Sequence, residues 1–153
     1  MAIDDNLRSD SVDADDVADA IVQLLVADDS ATISSILSTT SGSFVDLTGS
    51  DVTVTVTADD IVYITAQMNG SHSVADNSVR FKIVRTSPSA DLTGEYFQNM
   101  NIAATNGLTE TTVLKARDSG QSGSVTYKVQ WRVSAGTGYV SKADIYAVVF
   151  RNT

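Results

Sequence analysis

The sequence has no cysteine, one histidine and one proline, and these absences remove whole classes of chemistry. Without cysteine there are no disulfides, no thiolate metal sites and no cysteine nucleophile, and one histidine excludes metal motifs that need two. The longest apolar stretch, residues 20–27, contains Gln23 and is far shorter than the roughly 20 residues of a membrane-spanning helix. The first residues are acidic, so the basic segment of a signal peptide is missing. These features predict a soluble protein of a reducing compartment, without membrane insertion.

Basic residues are also scarce, since 10 Lys and Arg stand against 19 Asp and Glu and give a formal charge of −9 over 153 residues. This balance argues against a general affinity for nucleic acid or for an anionic membrane. The negative charge is concentrated in residues 1–42, which hold nine Asp and one Arg, whereas residues 43–153 are nearly neutral at −1. We interpret residues 1–42 as an acidic attachment segment and residues 43–153 as one domain. The alternative for the first segment is a tail that only aids solubility.

Apolar residues recur at helical spacing within the acidic segment. A helix predicted over residues 11–26, after an arm at 1–10, has these residues on one face: Ala14, Val17, Ala18, Ile21, Leu24 and Leu25. Asp13 and Asp16 complement the positive end of this helix dipole. A second, short helix or helical turn is predicted over 30–38. The apolar face is too small for a core of its own, so we expect it to dock on the following domain, a sister chain or another protein.

From about residue 43 the period of the apolar residues changes to two, which is typical of half-buried strands. Strong strands are predicted at 52–57, 61–68, 79–83, 125–133 and 145–150, and weaker ones near 43–48, 96–104 and 110–116. Turn-forming residues separate them, at Asn69-Gly70-Ser71, 118–123 and 136–138. About eight short strands with such turns predict a mainly β domain, an antiparallel sandwich or barrel.

The last strand, residues 145–150, is apolar on both faces. A strand buried on both sides needs cover beyond the opposing sheet. Either sister subunits or the N-terminal helix would supply that cover, and the sequence favours neither.

Candidate catalytic residues are few. His72 lies near Asp76, but no Gly-x-Ser-x-Gly turn accompanies it, and a lone loop histidine is more often a solvated polar residue. Glu95 and Glu110 are the only glutamates, and nothing in their spacing supports a pair of catalytic carboxylates. We therefore expect no enzymatic activity.

Metal and cofactor motifs are missing as well. Asp13, Asp15, Asp16 and Asp19 are dense enough to attract calcium, but the EF-hand spacing is absent and a helix would separate their carboxylates. Neither a phosphate-binding loop nor a dinucleotide fingerprint is present. We expect no metal and no cofactor. Basic residues of the strands, Arg85 among them, are interpreted as solubilising charges on outer faces.

A carbohydrate-binding module is the alternative of a different class, because exposed aromatic rings beside polar groups bind sugars by stacking. The candidates are Tyr63, Tyr96, Tyr139 and Trp131. Trp131 lies on the apolar face of its strand, which favours core packing or a contact between subunits.

Three stretches of the second half resemble virion proteins of tailed phages. They are Ser-Val-Thr-Tyr-Lys-Val-Gln-Trp-Arg-Val at 124–133, Ser-Ala-Gly-Thr-Gly-Tyr at 134–139 and Ala-Asp-Ile-Tyr-Ala-Val-Val-Phe at 143–150. The strands at 60–64 and 79–85 fit the same pattern, so the resemblance covers roughly residues 55–151. The similar proteins carry small jelly rolls of the tumour-necrosis-factor-like type, used in head decoration (cement) proteins, head fibres and tail fibres.

This resemblance implies a jelly-roll sandwich that forms a homotrimer, with the final strand and nearby aromatics at the three-fold axis. The implied interface residues are Trp131, Ile145, Tyr146, Val148 and Phe150. It also implies attachment to the major capsid protein or another virion protein through the N-terminal segment. The resemblance does not extend to the residues of that segment, and the attachment residues are instead expected from its charge and its predicted helix face: Asp13, Asp16, Val17, Ile21, Leu24 and Leu25.

The sequence therefore predicts a non-enzymatic structural protein of a phage virion, assembled in the host cytoplasm, and most specifically a trimeric head decoration protein. The alternative is a fibre or receptor-binding tip that recognises host glycans. In that case the loops around 69–78, 86–95 and 117–123 would carry recognition.

Overall fold

A computed structural model describes residues 25–74, 77–94, 96–100 and 110–151, and within these ranges every helix or strand element is a strand. The bounds are β1 (Leu25–Ile33), β2 (Leu37–Thr39), β3 (Val45–Asp46), β4 (Val52–Val56), β5 (Asp60–His72), β6 (Asn77–Thr86), β7 (Ser89–Asp91), β8 (Tyr96–Met100), β9 (Glu110–Ser119), β10 (Gly123–Val133) and β11 (Gly138–Arg151). The mainly β architecture predicted from the sequence is confirmed.

The strands form two antiparallel sheets that pack face to face. The first sheet has the order β1-β11-β5-β9, with β2 also beside β11. The second has the order β3-β10-β6-β7, with β4 beside β10 and β8 beside β6. From β4 to β6, and again from β8 to β11, each successive strand belongs to the other sheet. This alternation is that of a jelly-roll-like sandwich.

The core lies between the sheets, because alternate residues of each strand point inward. In β4 the three valines are buried while the threonines between them are exposed. Phe81 of β6 and Trp131 of β10 lie directly opposite each other and stack, with ring centroids 6.4 Å apart and planes 8° from parallel. Burying a large apolar side chain contributes roughly 1.5–3 kcal/mol. The predicted pattern of inward and outward residues in β4, β5 and β10 is confirmed.

β11 starts at Gly138, where this strand of the first sheet comes close to β10 and β6 of the second sheet. A Cβ atom there would lie 2.6 Å from Val133 Cγ1 and 3.0 Å from Val79 Cγ2. No side chain fits without displacing the core, so only glycine allows β11 to start at this point.

The helix predicted over residues 30–38 is wrong, since these residues hold the end of β1 and the start of β2. β1 pairs with β11 from Leu25–Phe150 to Ile33–Ala143, and Ala31 and Ile33 turn inward with Thr32 exposed between them. Residues 25 and 26 of the first predicted helix also belong to β1. The rest of that helix, residues 11–24, lies outside the described residues, as does the arm at 1–10.

Two further differences concern turns and strand number. Asn69-Gly70-Ser71 is not a turn, because β5 continues through it to His72 and pairs with β11 as far as Gly138. The short β7, which the sequence did not predict, pairs with β6 after the Ser87-Pro88 turn. The predicted turns at 118–123 and 136–138 are confirmed, since β9 ends at Ser119, β10 starts at Gly123 and β11 starts at Gly138.

Candidate functional site

An exposed apolar surface covers the outer side of the first sheet, where β1, β11 and β5 run side by side. We define this aromatic face by six residues: Leu25, Ile61, Tyr63, Tyr146, Val148 and Phe150. Tyr63 and Tyr146 are 46% and 49% exposed, and Phe150 is 38% exposed. Single apolar side chains are common on protein surfaces, whereas a contiguous patch marks an association surface or a binding site.

Strand register brings the six residues together. Phe150 lies between Leu25 of β1 and Ile61 of β5, and Val148 lies opposite Tyr63. The rings of Tyr63 and Phe150 meet edge to face, with centroids 5.8 Å apart and planes at 76°, an arrangement that aromatic quadrupoles favour. Because neighbouring strands lie about 4.8 Å apart, these side chains form one continuous patch.

Charges of opposite sign border the aromatic face on its two sides. One row across the sheet contains Asp28 on β1, Val148, Tyr63 and Arg117 on β9. Its two ends lie about 14 Å apart, since three strand spacings of about 4.8 Å separate them. We call Asp28 the acidic edge, and Lys115 and Arg117 of β9 the basic edge; all three are exposed. Within the described residues, none of the three forms an ion pair.

The outer side of the second sheet differs, because its charges pair with one another. Lys82 Nζ lies 2.9 Å from Asp91, and Lys128 Nζ lies 2.8 Å from Asp46. The hydrogen bond from Lys128 holds the pKa of Asp46 below its ordinary value and raises that of Lys128. Lys82 also lies 4.6 Å from the ring centroid of Phe44. On this side of the sandwich, Lys82 and Lys128 are thus each paired with an aspartate.

His72 is fully buried, so the solvated loop histidine predicted from the sequence is wrong. It ends β5, where Nε2 donates to the Ala135 carbonyl at 2.6 Å and Nδ1 accepts from the Val74 amide at 3.0 Å. The ring thereby joins the segments after β5 and before β11. Gly136, with φ of +65°, passes so close that a Cβ there would lie 3.0 Å from His72 Cε1. These contacts give His72 a role in holding two loops together.

Arg85 is also inside the sandwich, and its predicted position on an outer face is wrong. Its Nη1 donates to both oxygens of Asp118 at 2.8 and 2.7 Å, and the Tyr127 hydroxyl donates to Asp118 at 3.0 Å. Burial raises the pKa of Tyr127 above its ordinary value, and the charge of Asp118 adds to the rise. Asp118 belongs to the first sheet and the other two residues to the second. This buried cluster therefore connects the sheets.

Among the described residues, no three His, Asp or Glu side chains are grouped so as to hold a metal ion. The aspartates at 13, 15, 16 and 19 lie outside those residues, as do Asp76 and Glu95. Across the ranges that the structure describes, no helix has the length and apolar character needed to cross a membrane.

The residues predicted at a trimer interface separate into two groups. Trp131 and Ile145 are 3% and 1% exposed and lie in the core, so their side chains are not available to a partner. Both side chains point between the sheets, so Trp131 and Ile145 are core residues and not interface residues. Tyr146, Val148 and Phe150 lie on the aromatic face, and the interface itself stays a prediction.

Of the predicted attachment residues, only Leu25 is described, and it belongs to the aromatic face. The others lie outside the described residues: Asp13, Asp16, Val17, Ile21 and Leu24. The sequence did not single out Ile61, the acidic edge or the basic edge. Ile61 and Tyr63 alternate with buried residues of β5, which was a readable signal of an outer apolar strip.

No family model and no curated protein matches this sequence. Among solved structures, the VP2 subviral particle of infectious bursal disease virus aligns with a TM-score of 0.51 and 11% identity, over 83% of this chain and 34% of that chain. This chain thus spans about a third of the VP2 chain's length. At this identity the likeness establishes a shared fold and nothing beyond it.

Two other solved structures also align. The tripod from the baseplate of bacteriophage Tuc2009 has a TM-score of 0.48 and 12% identity, over 99% of this chain and 73% of that chain. The EclA C-terminal domain, described as a sugar-binding protein, has a TM-score of 0.46 and 10% identity, over 74% and 78% of the two chains.

Proposed function

We propose that this chain is a non-enzymatic structural protein of a phage virion, a head decoration protein that self-associates as a trimer. The observation that carries the proposal is the aromatic face, a contiguous exposed apolar patch on an otherwise well-packed sandwich. The segments at 124–139 and 143–150, which resemble tailed-phage virion proteins, include half of that face. Such an association surface is what a structural component needs.

The use of the buried polar residues supports the non-enzymatic part of the proposal. Arg85, Asp118 and Tyr127 bond to one another, and His72 bonds to backbone atoms of two loops. Each of these groups thus forms hydrogen bonds within the fold. A general base or nucleophile must instead reach a substrate.

The chain's entry into the sandwich supports attachment through the N-terminal segment. β1 starts at Leu25, on the border of the aromatic face. Residues 1–24, which precede β1 in the sequence, hold seven aspartates and one arginine and therefore carry a concentrated negative charge. We propose that this segment binds a basic surface of the capsid shell, with Asp13 and Asp16 in contact with it and Val17, Ile21 and Leu24 packed against it.

The test is a deletion of residues 1–24 combined with binding to particles that lack the protein. The deletion must stop before β1, because Ile33 of that strand is part of the core. We expect the truncated chain to remain folded by circular dichroism and to lose particle binding in co-sedimentation. Decoration of particles by the truncated chain would overturn the attachment model.

A charge test refines the same experiment. Replacing Asp13 and Asp16 with Asn should weaken binding to particles, and the effect should grow as salt is lowered because exposed charges are less screened. Asp51→Asn with Asp91→Asn is the matched control, since both carboxylates are exposed on the second-sheet side. Equal loss in both double variants would argue against a specific acidic contact.

Recognition of host glycans by a fibre or receptor-binding tip is the second candidate function. The observation in its favour is the exposure of Tyr63 and Tyr146 next to Thr65, since Tyr146 lies opposite Thr65 and Tyr63 two residues before it, which offers rings beside a hydroxyl. A glycan array should then give a signal that Tyr63→Ala removes. An array signal that persists in Tyr63→Ala would exclude this site as the lectin surface.

A further inference from the structure

The acidic edge and the basic edge of the aromatic face lie in the same row of the first sheet. Asp28 is at one end of that row and Arg117 at the other, with Val148 and Tyr63 between them. Both charged residues are exposed, and within the described part of the chain neither has an ion-pair partner. An apolar patch with opposite charges at its two sides is complementary to a rotated copy of itself.

We infer that a second copy of this chain covers the aromatic face and that Asp28 of one copy pairs with Arg117 of the next. This inference rests on the proposed self-association and adds the contact that orients it. Rotation about an axis parallel to the strands leaves each position along the strands unchanged. It therefore brings the two ends of the same row together, acid against base.

The same geometry disfavours the other simple arrangement. A two-fold axis perpendicular to the strands and within the interface sets β9 against β9 and β1 against β1. Arg117 would then face the basic edge of the partner, and like charges placed together at an interface oppose association. The charge distribution thus favours the arrangement in which the β1 side of one copy lies against the β9 side of its neighbour.

The apolar residues supply the affinity in this arrangement, and the charges supply the orientation. Tyr63 and Phe150 are large aromatic rings of the face that contact each other, and the anchor residues of interfaces are enriched in such rings. Charged residues at a rim contribute mainly to specificity and to the rate of association. We therefore expect self-association to persist at high salt but to weaken there, because screening acts on the rim pairs.

A charge-swap experiment tests the pairing. Asp28→Lys and Arg117→Glu should each raise the dissociation constant of self-association by about tenfold or more, whereas the double variant should return to within about threefold of the original. Sedimentation velocity and light scattering over a concentration series give both mass and affinity. Thr55→Lys is the control, since Thr55 is exposed on the second sheet, and it should leave the affinity unchanged.

Three outcomes would overturn the inference. If the double variant associates as weakly as the single variants, Asp28 and Arg117 do not face each other. If neither single reversal changes the affinity, the charged edges are not part of the contact. A monomeric full chain that associates only after removal of residues 1–24 would show that its own N-terminal segment covers the face.

The charge-swap experiment and the particle-binding experiment can succeed or fail independently. If the chain binds particles but neither charge reversal changes its self-association, the inference is wrong and the decoration role is still supported. If the double charge-swap variant restores self-association but the chain binds no particle, the inference is supported and the decoration role is wrong. If the double charge-swap variant restores association but forms a dimer, the pairing is supported and only the three-fold symmetry is contradicted.

Discussion

Tyr63 and Phe150 meet edge to face at 5.8 Å on the exposed side of the first sheet, although they belong to strands from opposite parts of the sequence. Tyr63 lies in β5 and Phe150 near the end of β11, and their contact arises because Val148 is the residue opposite Tyr63. The apolar outer face of the last strand thus lies beside an apolar strip of β5. The two strands together form a surface that neither forms alone.

Truncation of this ring pair should abolish self-association without unfolding the sandwich. We expect the double variant Tyr63→Ala with Phe150→Ala to be monomeric by light scattering, because interface anchors cost about 2 kcal/mol or more each when truncated. The rings are 46% and 38% exposed, so the melting temperature of the monomer should change little.

The matched control for that variant is Tyr139→Ala. Tyr139 is on the same side of β11, but near its start, opposite Ser71. It should keep the self-association of the original chain. If Tyr139→Ala loses self-association and the double variant keeps it, the contact lies at the other end of the sheet.

The sequence was sufficient to predict the strands whose residues alternate strictly. Val52 to Val56 and Val125 to Val133 have valines and aromatics at every second position, which only a half-buried strand satisfies. It was insufficient for β1, whose inward residues Ala31 and Ile33 are too few to show a period. Pairing with β11 makes this segment a strand, and that pairing is tertiary information.

The site was predictable in part for the same reason. The two-sided apolar character of 145–150 indicated an exposed patch, and Tyr146, Val148 and Phe150 lie there. Register between strands is not readable from a single strand, so the acidic and basic edges were missed. The inward turn of Arg85 was missed as well, because its partner Asp118 lies 33 residues away.

Loss of the carboxylate in the buried cluster should be strongly destabilising. Asp118→Ala leaves Arg85 buried without its counter-charge, and breaking a buried pair in this way costs about 3–5 kcal/mol. Tyr127→Phe removes one hydrogen bond to the same carboxylate and should cost about 1.5–3 kcal/mol, as for other bonds to charged groups. Urea denaturation followed by tryptophan fluorescence measures both.

Asp91→Ala is the comparison for the buried cluster, because it removes an ion pair in which Asp91 is exposed. Its cost should stay below about 1 kcal/mol. Similar midpoints for Asp91→Ala and Asp118→Ala would mean that burial of the Arg85 pair contributes nothing.

Acid should destabilise the fold in part through Asp60. Its carboxylate accepts the Thr57 amide at 2.8 Å, and this hydrogen bond holds the pKa of Asp60 below its ordinary value of 3.8. A lowered pKa in the folded state gives stability that is present above pH 3.8 and is lost as pH falls through the folded-state pKa. Melting temperatures from pH 7 to pH 2 should therefore fall more steeply in the original chain than in Asp60→Asn.

The reference for this pH profile is Asp59→Asn, whose side chain is exposed in the adjacent turn. It should reproduce the profile of the original chain. A profile for Asp60→Asn that runs parallel to the original at every pH would show that this carboxylate contributes no pH-dependent stability.

Gly138→Ala tests the close approach of the sheets at the start of β11. The added methyl would lie 2.6 Å from Val133 Cγ1, and overpacking of this kind typically costs about 1–3 kcal/mol. Gly42→Ala is the control, because a Cβ there has no atom within 4 Å. Val133→Ala made in the Gly138→Ala background frees the colliding methyl, so the two changes should cost less together than the sum of their separate effects. Strict additivity in urea denaturation would mean that the strain lies in the backbone of β11 and not in this contact.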